Sequence, residues 1–186
     1  MRSILVTILL SLGFFAAAWA GEDSGTPIVW LDEDAIADGS AELPKSGYLS
    51  TGQPDAAVLD NIADAGFVAV VDLRTAEEDR GIDERAEVEA RGMSYVSLPV
   101  SGSSGITWEN ADELDRVLER LDGPVLLHCG GGNRVGALFA LREKQKGADA
   151  QQALAVGKAG GLTRSEQVVR ERLAEREEAN QNRPER

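Results

Sequence analysis

Short apolar runs and amphipathic stretches alternate along the chain, a pattern typical of α/β proteins. The runs at 67–71 and 125–127 are continuously apolar, as expected for strands that are buried on both faces of a parallel sheet. Shorter strands are predicted at 47–51 and 95–100. Spacings of three and four residues between apolar positions predict helices at 56–65, 84–91, 111–121, from 135 to the turn at 147, at 150–156 and at 166–173. The sequence therefore predicts an α/β fold, a mostly parallel sheet with helices on both faces.

Polar residues mark where several of these helices begin. Asp55 precedes the first helix, and Ser165 precedes the last. For the helix at 111–121 the N-cap is expected to be Thr107 or Asn110. These residue types are favoured at helix N-caps because a side-chain oxygen can accept a hydrogen bond from a backbone N–H of the first turn.

The first twenty residues have the pattern of a secretory signal peptide. Arg2 supplies a positive start, residues 4–15 are mostly apolar, and Ala18-Trp19-Ala20 fits a small-x-small cleavage site. We therefore expect a Sec-type signal peptide over residues 1–20 with cleavage after Ala20. The mature protein is then periplasmic or secreted, without stable membrane association. An uncleaved N-terminal anchor is the alternative.

The rest of the chain is long enough for one domain with one sizeable core. Residues 21–45 are acidic and turn-rich, and we expect them to form a lead-in on the surface, part of it disordered. The domain itself is predicted over residues 46–174. Residues 175–186 alternate in charge and lack apolar anchors, so a disordered polar tail is predicted there.

Charge and residue counts limit the classes of partner and site. The formal net charge of −13 disfavours binding to nucleic acid or to anionic membrane surfaces. His128 is the single histidine and Cys129 the single cysteine, so no disulfide can form within the chain and no cysteine–histidine metal site can be completed. We expect a monomer without a cofactor or a metal.

The stretch that follows the strand at 125–127 carries the candidate chemistry. His128 and Cys129 end the strand, three glycines follow, and a helical pattern begins after Arg134. The field at a helix N-terminus favours the thiolate of Cys129, which is the nucleophilic form. Cys129 and Arg134 are therefore predicted to be catalytic. The predicted substrate-binding residues, whose backbone N–H groups can converge on an anion, are Gly130, Gly131, Gly132, Asn133 and Arg134.

Other polar residues are predicted to support this loop or to be solvated. His128 is expected to fix the loop from the strand end rather than to carry protons. Asp72 ends the strand at 67–71, and a structural ion pair or loop hydrogen bond is favoured over a direct role in positioning the loop. The charged residues 77–80 are expected to be solvated. Arg164 is expected to be a surface charge, with contact to a substrate as the alternative.

These motifs resemble the phosphate-binding loop of the dual-specificity-like protein tyrosine phosphatase superfamily. Those phosphatases place five residues between the cysteine and the arginine, whereas four separate Cys129 from Arg134. Four is the spacing of rhodanese-type sulfurtransferases and of the phosphatase-like family named after the beta-lactamase hydrolase-like protein. The chain resembles the latter family from residue 47 to residue 165, including Ser-Thr-Gly-Gln-Pro at 50–54.

The resemblance implies a protein tyrosine phosphatase-like fold and a cysteine-dependent hydrolase. Such an enzyme acts on a small anionic or phosphorylated substrate through a thiophosphoryl-cysteine intermediate. Two departures from the phosphatase pattern keep other functions open. The phosphatases usually carry a general-acid aspartate in the loop at 101–105, and none occurs between Val100 and Trp108. Val135 stands where they commonly have a hydroxyl residue. The alternatives are a rhodanese-like sulfurtransferase with a persulfide on Cys129 and a non-catalytic anion-binding module.

Overall fold

Five strands form one sheet in the computed structural model, which describes residues 28–182. The strands are Ile28–Trp30 (β1), Tyr48–Thr51 (β2), Ala69–Asp72 (β3), Ser94–Ser97 (β4) and Val125–His128 (β5). Their spatial order is β1-β2-β5-β3-β4, and each pairing between neighbouring strands is parallel. β5 therefore lies in the middle, and its carboxyl end lies near the centre of one sheet edge.

Helices cover both faces of this sheet. Their bounds are Glu33–Ala37 (α1), Ala56–Asp64 (α2), Glu84–Ala90 (α3), Trp108–Leu118 (α4), Asn133–Gln145 (α5), Ala150–Ala159 (α6) and Glu166–Gln181 (α7). α1, α2 and α3 share one core with the sheet, and α4 and α5 share another core with the opposite face. α6 and α7 pack against the outer side of α5. The predicted α/β fold with helices on both faces is confirmed.

The side chains of β5 alternate between the two cores, and this decides where Cys129 points. Leu126 is buried in the core shared with α1, α2 and α3. Leu127 and Cys129, which are two residues apart, both belong to the core beside α5. His128 contacts Glu84 of α3, on the other side. Because successive strand residues point to opposite faces, Cys129 and His128 lie on opposite sides of the sheet.

α5 and α6 cross closely because each carries a glycine at the crossing. A Cβ on Gly136 would collide with the backbone nitrogen of Leu162 and with the backbone oxygen of Gly157. A Cβ on Gly157 would lie 2.8 Å from the backbone oxygen of Gly136. The helix that follows Cys129 is therefore held tightly against α6 and against the connection between α6 and α7.

The acidic segment before the domain contains regular structure that its sequence pattern did not indicate. Residues 28–30 form β1, which pairs with β2 at the sheet edge. Asp32 caps α1 by accepting a hydrogen bond from the Asp34 N–H, and Ile36 is buried in the core. The structure therefore differs from the predicted surface lead-in over residues 28–37. A three-residue strand is too short to show a period, and its parallel partner is distant in sequence.

α7 continues beyond its predicted end at 173. It reaches Gln181, so residues 175–181 are helical where a disordered tail was predicted. Polar groups anchor this extension: Lys144 Nζ lies 2.8 Å from Glu177 Oε1, and the Arg176 guanidinium lies 4.6 Å from the centre of the Trp108 ring. Apolar periodicity could not reveal an extension that ion pairs and a cation–π contact support.

Two of the predicted helix caps are confirmed. The side chains of Asp55 and Thr107 accept hydrogen bonds from the backbone N–H three residues on, at 2.9 and 3.2 Å, and so cap α2 and α4. Ser165 occupies the N-cap position of α7 but makes no side-chain capping bond. Its Oγ instead accepts a hydrogen bond from Asn133 Nδ2 at 2.7 Å. Ser165 therefore connects α7 to the start of α5.

Within residues 28–182, no helix is both long and apolar enough to cross a membrane. The signal peptide predicted over residues 1–20 lies outside the described residues, and its cleavage stays a prediction. Residues 183–186, at the end of the predicted tail, lie outside them as well.

Candidate active site

The Cys loop, residues 129–134, joins β5 to α5 in the middle of the sheet. α5 begins at Asn133 and its N-cap is Gly132, so Cys129 lies one tight turn before the helix N-terminus. Cys129 is only 2% exposed, and it lines a cleft of about 490 Å³ together with Gly130, Gly131 and Arg134. The predicted order of strand, cysteine, glycine-rich loop and helix is confirmed.

Two glycines allow close packing in and beside the Cys loop. Gly132 has a φ of 71°, and a Cβ there would lie 2.5 Å from Trp30 Nε1. Gly52, which follows β2, forms an isolated bridge with Gly131. A Cβ on Gly52 would lie 2.5 Å from a carboxylate of α1. The motif at 50–54 therefore supports the Cys loop from the neighbouring strand.

Asn133 makes hydrogen bonds to other parts of the protein through its backbone and its side chain. Its backbone N–H donates to Gly131 O at 2.8 Å. Its side-chain Oδ1 accepts from the backbone N–H groups of Thr163 and Ser165 at 2.9 and 3.1 Å. The structure thus gives Asn133 the role of tying the Cys loop to the connection between α6 and α7. Asn133 also lines the cleft. Anion binding by Gly130, Gly131, Gly132, Asn133 and Arg134 stays a prediction.

Glu78 holds the guanidinium of Arg134 in a bidentate pair. Arg134 Nη1 lies 2.6 Å from Glu78 Oε1, and Nη2 lies 2.6 Å from Oε2. Nη1 also donates to Val100 O at 2.9 Å. Two parallel N–H···O bonds fix the plane of a guanidinium as well as its position. Arg134 is therefore held beside the cleft in one orientation.

The same pair keeps both of its members ionised. Hydrogen bonds from Arg134 are the largest influence on Glu78 and lower the pKa of its carboxyl to about 2. Reciprocally, hydrogen bonding to Glu78 raises the pKa of Arg134 above its ordinary value. At neutral pH Glu78 is therefore a carboxylate that cannot donate a proton.

Glu78 is the functional residue that the sequence did not reveal, since residues 77–80 were expected to be solvated. The prediction is wrong for Glu78 and for Arg80, which forms an ion pair with Asp72. A local signal was present, because Thr75-Ala76-Glu77-Glu78 has the spacing of a capping box. The backbone N–H of Thr75 does donate to Glu78 Oε1, at 2.9 Å. No local pattern in the sequence indicated that Glu78 would pair with Arg134.

Asp72 is the centre of a buried ionic cluster behind the Cys loop. Arg74 Nε donates to Asp72 Oδ1 at 3.0 Å, and Tyr95 Oη donates to Oδ2 at 2.8 Å. Burial alone would raise the pKa of Asp72, but the hydrogen bonds from Arg74 and Tyr95 and the field of His128 outweigh it and lower the pKa to about 2. The predicted structural ion pair at Asp72 is confirmed.

His128 lies in the same cluster, on the side of the sheet that faces away from Cys129. Its Nε2 lies 2.6 Å from Glu84 Oε1 and 3.6 Å from Asp72 Oδ1, and the imidazole is fully buried. The three side chains are close enough to one another to hold a cation. However, Arg74 pairs with both carboxylates, so guanidinium charge already occupies the place that a metal would need.

Among residues 28–182, the lining of the cleft includes no carboxylic acid that could protonate a leaving group. Among the described residues that line it, Glu78 has the one carboxylate, and Arg134 holds that carboxylate ionised. The loop at 101–105 contributes Ser101, Gly102 and Ser103. Val135 is fully buried in the core, with no hydroxyl to offer. Both departures that the sequence indicated are therefore present in the site.

A parallel sheet with a cysteine loop between its central strand and the following helix defines a protein tyrosine phosphatase-like fold. The chain belongs to the family described as the beta-lactamase hydrolase-like protein, phosphatase-like domain, which matches residues 47–147, more than half of the chain. It is 32% identical over 100 residues to the beta-lactamase hydrolase-like protein of Agrobacterium fabrum (strain C58), an alignment that covers 52% of this chain. The same alignment covers only 23% of that relative's own length.

Solved structures show the same fold at low sequence identity. A candidate phosphatase of Neisseria meningitidis Z2491 aligns with a TM-score of 0.59 and 18% identity, over 70% of this chain and 96% of that one. Tk-PTP, in a mutant form, aligns with a TM-score of 0.51 and 22% identity, over 74% of this chain and 96% of that one. The predicted family and the predicted protein tyrosine phosphatase-like fold are confirmed.

If the site hydrolyses a phosphate ester, replacing Glu78 by glutamine should lower kcat by about 10- to 100-fold, because a misaligned guanidinium no longer meets the reacting oxygens. KM should stay the same or fall, since one negative charge leaves the cleft. Steady-state kinetics on Glu78→Gln test this, with Glu77→Gln as the matched control. Glu77 is the exposed neighbour and undergoes the same change of charge. Equal effects of the two substitutions would contradict a positioning role for Glu78.

Proposed function

We propose that the protein is a cysteine-dependent phosphatase that hydrolyses a phosphate monoester. The observation that carries the proposal is that Cys129 and Arg134 line one cleft at the N-terminus of α5. A thiolate can attack phosphorus there while a guanidinium and the helix N-terminus stabilise the phosphoryl oxygens. Membership of a phosphatase-like family supports this reading of the site.

In the first step the Cys129 thiolate attacks phosphorus, and the P–O bond to the leaving group breaks. The leaving oxygen keeps the bonding electron pair and takes a proton from water, and a thiophosphoryl-cysteine remains. Arg134, in the orientation set by Glu78, and backbone N–H groups of the Cys loop hold the equatorial oxygens.

In the second step water attacks the phosphorus of this intermediate and the S–P bond breaks. The electron pair returns to Cys129 as a thiolate, the water gives a proton to solvent, and inorganic phosphate leaves. Val135 cannot donate a hydrogen bond to the departing sulfur. Slow release of the thiolate is therefore part of the proposal.

Hydrolysis should depend strongly on the leaving group, because Glu78 cannot supply a proton to it. A general acid typically contributes about 10²- to 10⁴-fold. We expect kcat/KM for glycerol phosphate to be lower than that for para-nitrophenyl phosphate by at least this factor. A series of aryl phosphates with increasing leaving-group pKa, assayed at one pH, measures the trend. Equal kcat/KM values along the series would reveal a proton donor and contradict this mechanism.

A rhodanese-like sulfurtransferase is the second candidate. The lack of a proton donor among the described cleft residues favours it, because sulfur transfer through a Cys129 persulfide needs no general acid. A thiosulfate-to-cyanide assay beside the phosphate assay separates the two. Cysteine-dependent thiocyanate without phosphate release would support the sulfurtransferase. Phosphate binding that survives Cys129→Ser, with no turnover of either donor by the unmodified protein, would support the anion-binding module.

A further inference from the structure

Two arginines line the cleft, and they differ in whether they form an ion pair with another described residue. Arg134 is bound on one side by both oxygens of Glu78. Arg164, in the connection between α6 and α7, also lines the cleft, and it forms no ion pair with any residue between 28 and 182. The side-chain charges of Arg134 and Glu78 cancel. Arg164 therefore supplies the positive charge that remains among the described residues of the cleft.

The backbone on either side of Arg164 is held directly by the Cys loop. Asn133 Oδ1 accepts from Thr163 N at 2.9 Å and from Ser165 N at 3.1 Å, and Asn133 Nδ2 donates to Ser165 Oγ at 2.7 Å. Asn133 and Ser165 are both more than nine-tenths buried. Arg164 is thus the exposed residue between two anchored ones, and its backbone has a fixed position relative to Arg134.

The close helix crossing reinforces this arrangement independently of those hydrogen bonds. Gly136 of α5 allows the backbone of Leu162 to approach so closely that no Cβ would fit. Leu162 is itself buried in the core between α5, α6 and α7. The segment that presents Arg164 is therefore packed directly against α5. A residue on such a segment can recognise a ligand at a defined distance from the nucleophile.

We propose that Arg164 binds a second anionic group of the substrate while Arg134 and the Cys loop hold the scissile phosphate. This inference rests on the proposed function and names its substrate class: a phosphate monoester that carries a further phosphate or carboxylate. A guanidinium fork matches the oxygens of both groups. The cleft, at about 490 Å³, has room for a substrate larger than a single phosphate.

Kinetics on a set of small aromatic phosphates test the inference. Phenyl phosphate is the reference, and the ortho, meta and para isomers of benzenediol bisphosphate and of carboxyphenyl phosphate supply the second anion at graded distances. At least one isomer should have a KM about five- to tenfold below that of phenyl phosphate, the range expected for a solvent-accessible charge-assisted contact. Which series shows the preference distinguishes phosphate from carboxylate as the second group.

The preference should be lost in Arg164→Gln, so that the KM of the preferred isomer rises to that of phenyl phosphate measured on the same variant. Arg170→Gln is the matched control, because Arg170 is an exposed arginine on α7 that pairs with Glu166 outside the cleft. That variant should keep the preference. A preference that survives Arg164→Gln, or turnover of phenyl phosphate by the unmodified protein with no preference for any isomer, would overturn the inference.

A binding measurement separates failure of this inference from failure of the proposed function. Calorimetric titration of Cys129→Ser with phenyl phosphate and with each of the isomers requires no turnover. An isomer with two anionic groups should bind Cys129→Ser more tightly than phenyl phosphate does. Loss of this difference in Cys129→Ser/Arg164→Gln supports the role of Arg164, even if the unmodified protein hydrolyses none of the compounds. Equal affinities in both backgrounds would contradict that role, even if the protein is an active phosphatase.

Discussion

Replacing Cys129 by serine should lower kcat for para-nitrophenyl phosphate by at least about 10⁴-fold, a loss typical of removing a nucleophile. A serine hydroxyl at the same place is protonated at neutral pH, and no described cleft residue is positioned to act as its base. The substitution exchanges one buried atom for a smaller one, so the fold should be retained. Phosphate release measured against a no-enzyme baseline checks the prediction.

The matched control for this variant is Ser103→Ala. Ser103 lines the same cleft, but its side chain is exposed and lies in the loop at 101–105. We expect its kcat to stay within about threefold of the unmodified protein. Thermal unfolding of both variants should show unchanged midpoints. If Cys129→Ser retained more than a few per cent of the activity, Cys129 would not be the nucleophile.

Replacing Arg134 by lysine should lower kcat/KM by about 10³-fold, which corresponds to about 4 kcal/mol of transition-state stabilisation. Lysine keeps the charge but has no planar fork, so it cannot hold Glu78 with two bonds and present further N–H groups to the phosphoryl oxygens. Most of the loss should appear in kcat, because the fork matters most when charge develops on these oxygens. Steady-state kinetics with para-nitrophenyl phosphate measure both constants.

Arg142→Lys provides the comparison for this second variant. Arg142 lies on the same helix as Arg134 and is also ion-paired, through Asp115 and Glu143, but these partners lie outside the cleft. Its replacement should lower the thermal midpoint while kcat/KM stays within a few-fold. A kcat/KM for Arg134→Lys within tenfold of the unmodified protein would contradict the electrostatic role assigned to Arg134.

Sequence reasoning located the Cys loop because each of its parts has a local signal. The apolar run at 125–127 indicates a buried strand, the three glycines indicate a turn, and the spacing after Arg134 indicates a helix. The N-caps Asp55 and Thr107 were predictable for the same reason. Such features depend on neighbours within a few residues, and the chain order alone then places Cys129 at a sheet edge.

The contacts that complete the cleft depend instead on residues that are distant in sequence. Glu78 stands in a charged run that looks solvated until the fold brings Arg134 to it, 56 residues away. Arg164 faces the cleft because Asn133 holds its neighbours across 30 and 32 residues. β1 has three residues and gains its stability from a parallel edge pairing. None of these features has a periodicity that a local pattern could show.

The loop geometry is compatible with chemistry at phosphorus or at sulfur, and the two differ in what becomes attached to Cys129. In a phosphatase the cysteine carries a phosphoryl group between the two steps. In a sulfurtransferase it carries one extra sulfur atom. Slow release of the thiolate, expected because Val135 offers no hydrogen bond, should let the phosphoryl form accumulate during turnover.

The most direct test is therefore rapid acid quenching of the reduced protein during turnover of para-nitrophenyl phosphate, followed by mass spectrometry of the peptide that contains Cys129. The account predicts a phosphoryl adduct on Cys129 that forms in a burst with para-nitrophenolate and disappears as substrate is exhausted. Cys129→Ser should form neither the adduct nor the burst. Turnover without a phosphoryl adduct at any quench time, or a sulfur adduct formed from thiosulfate with no phosphate release, would contradict it.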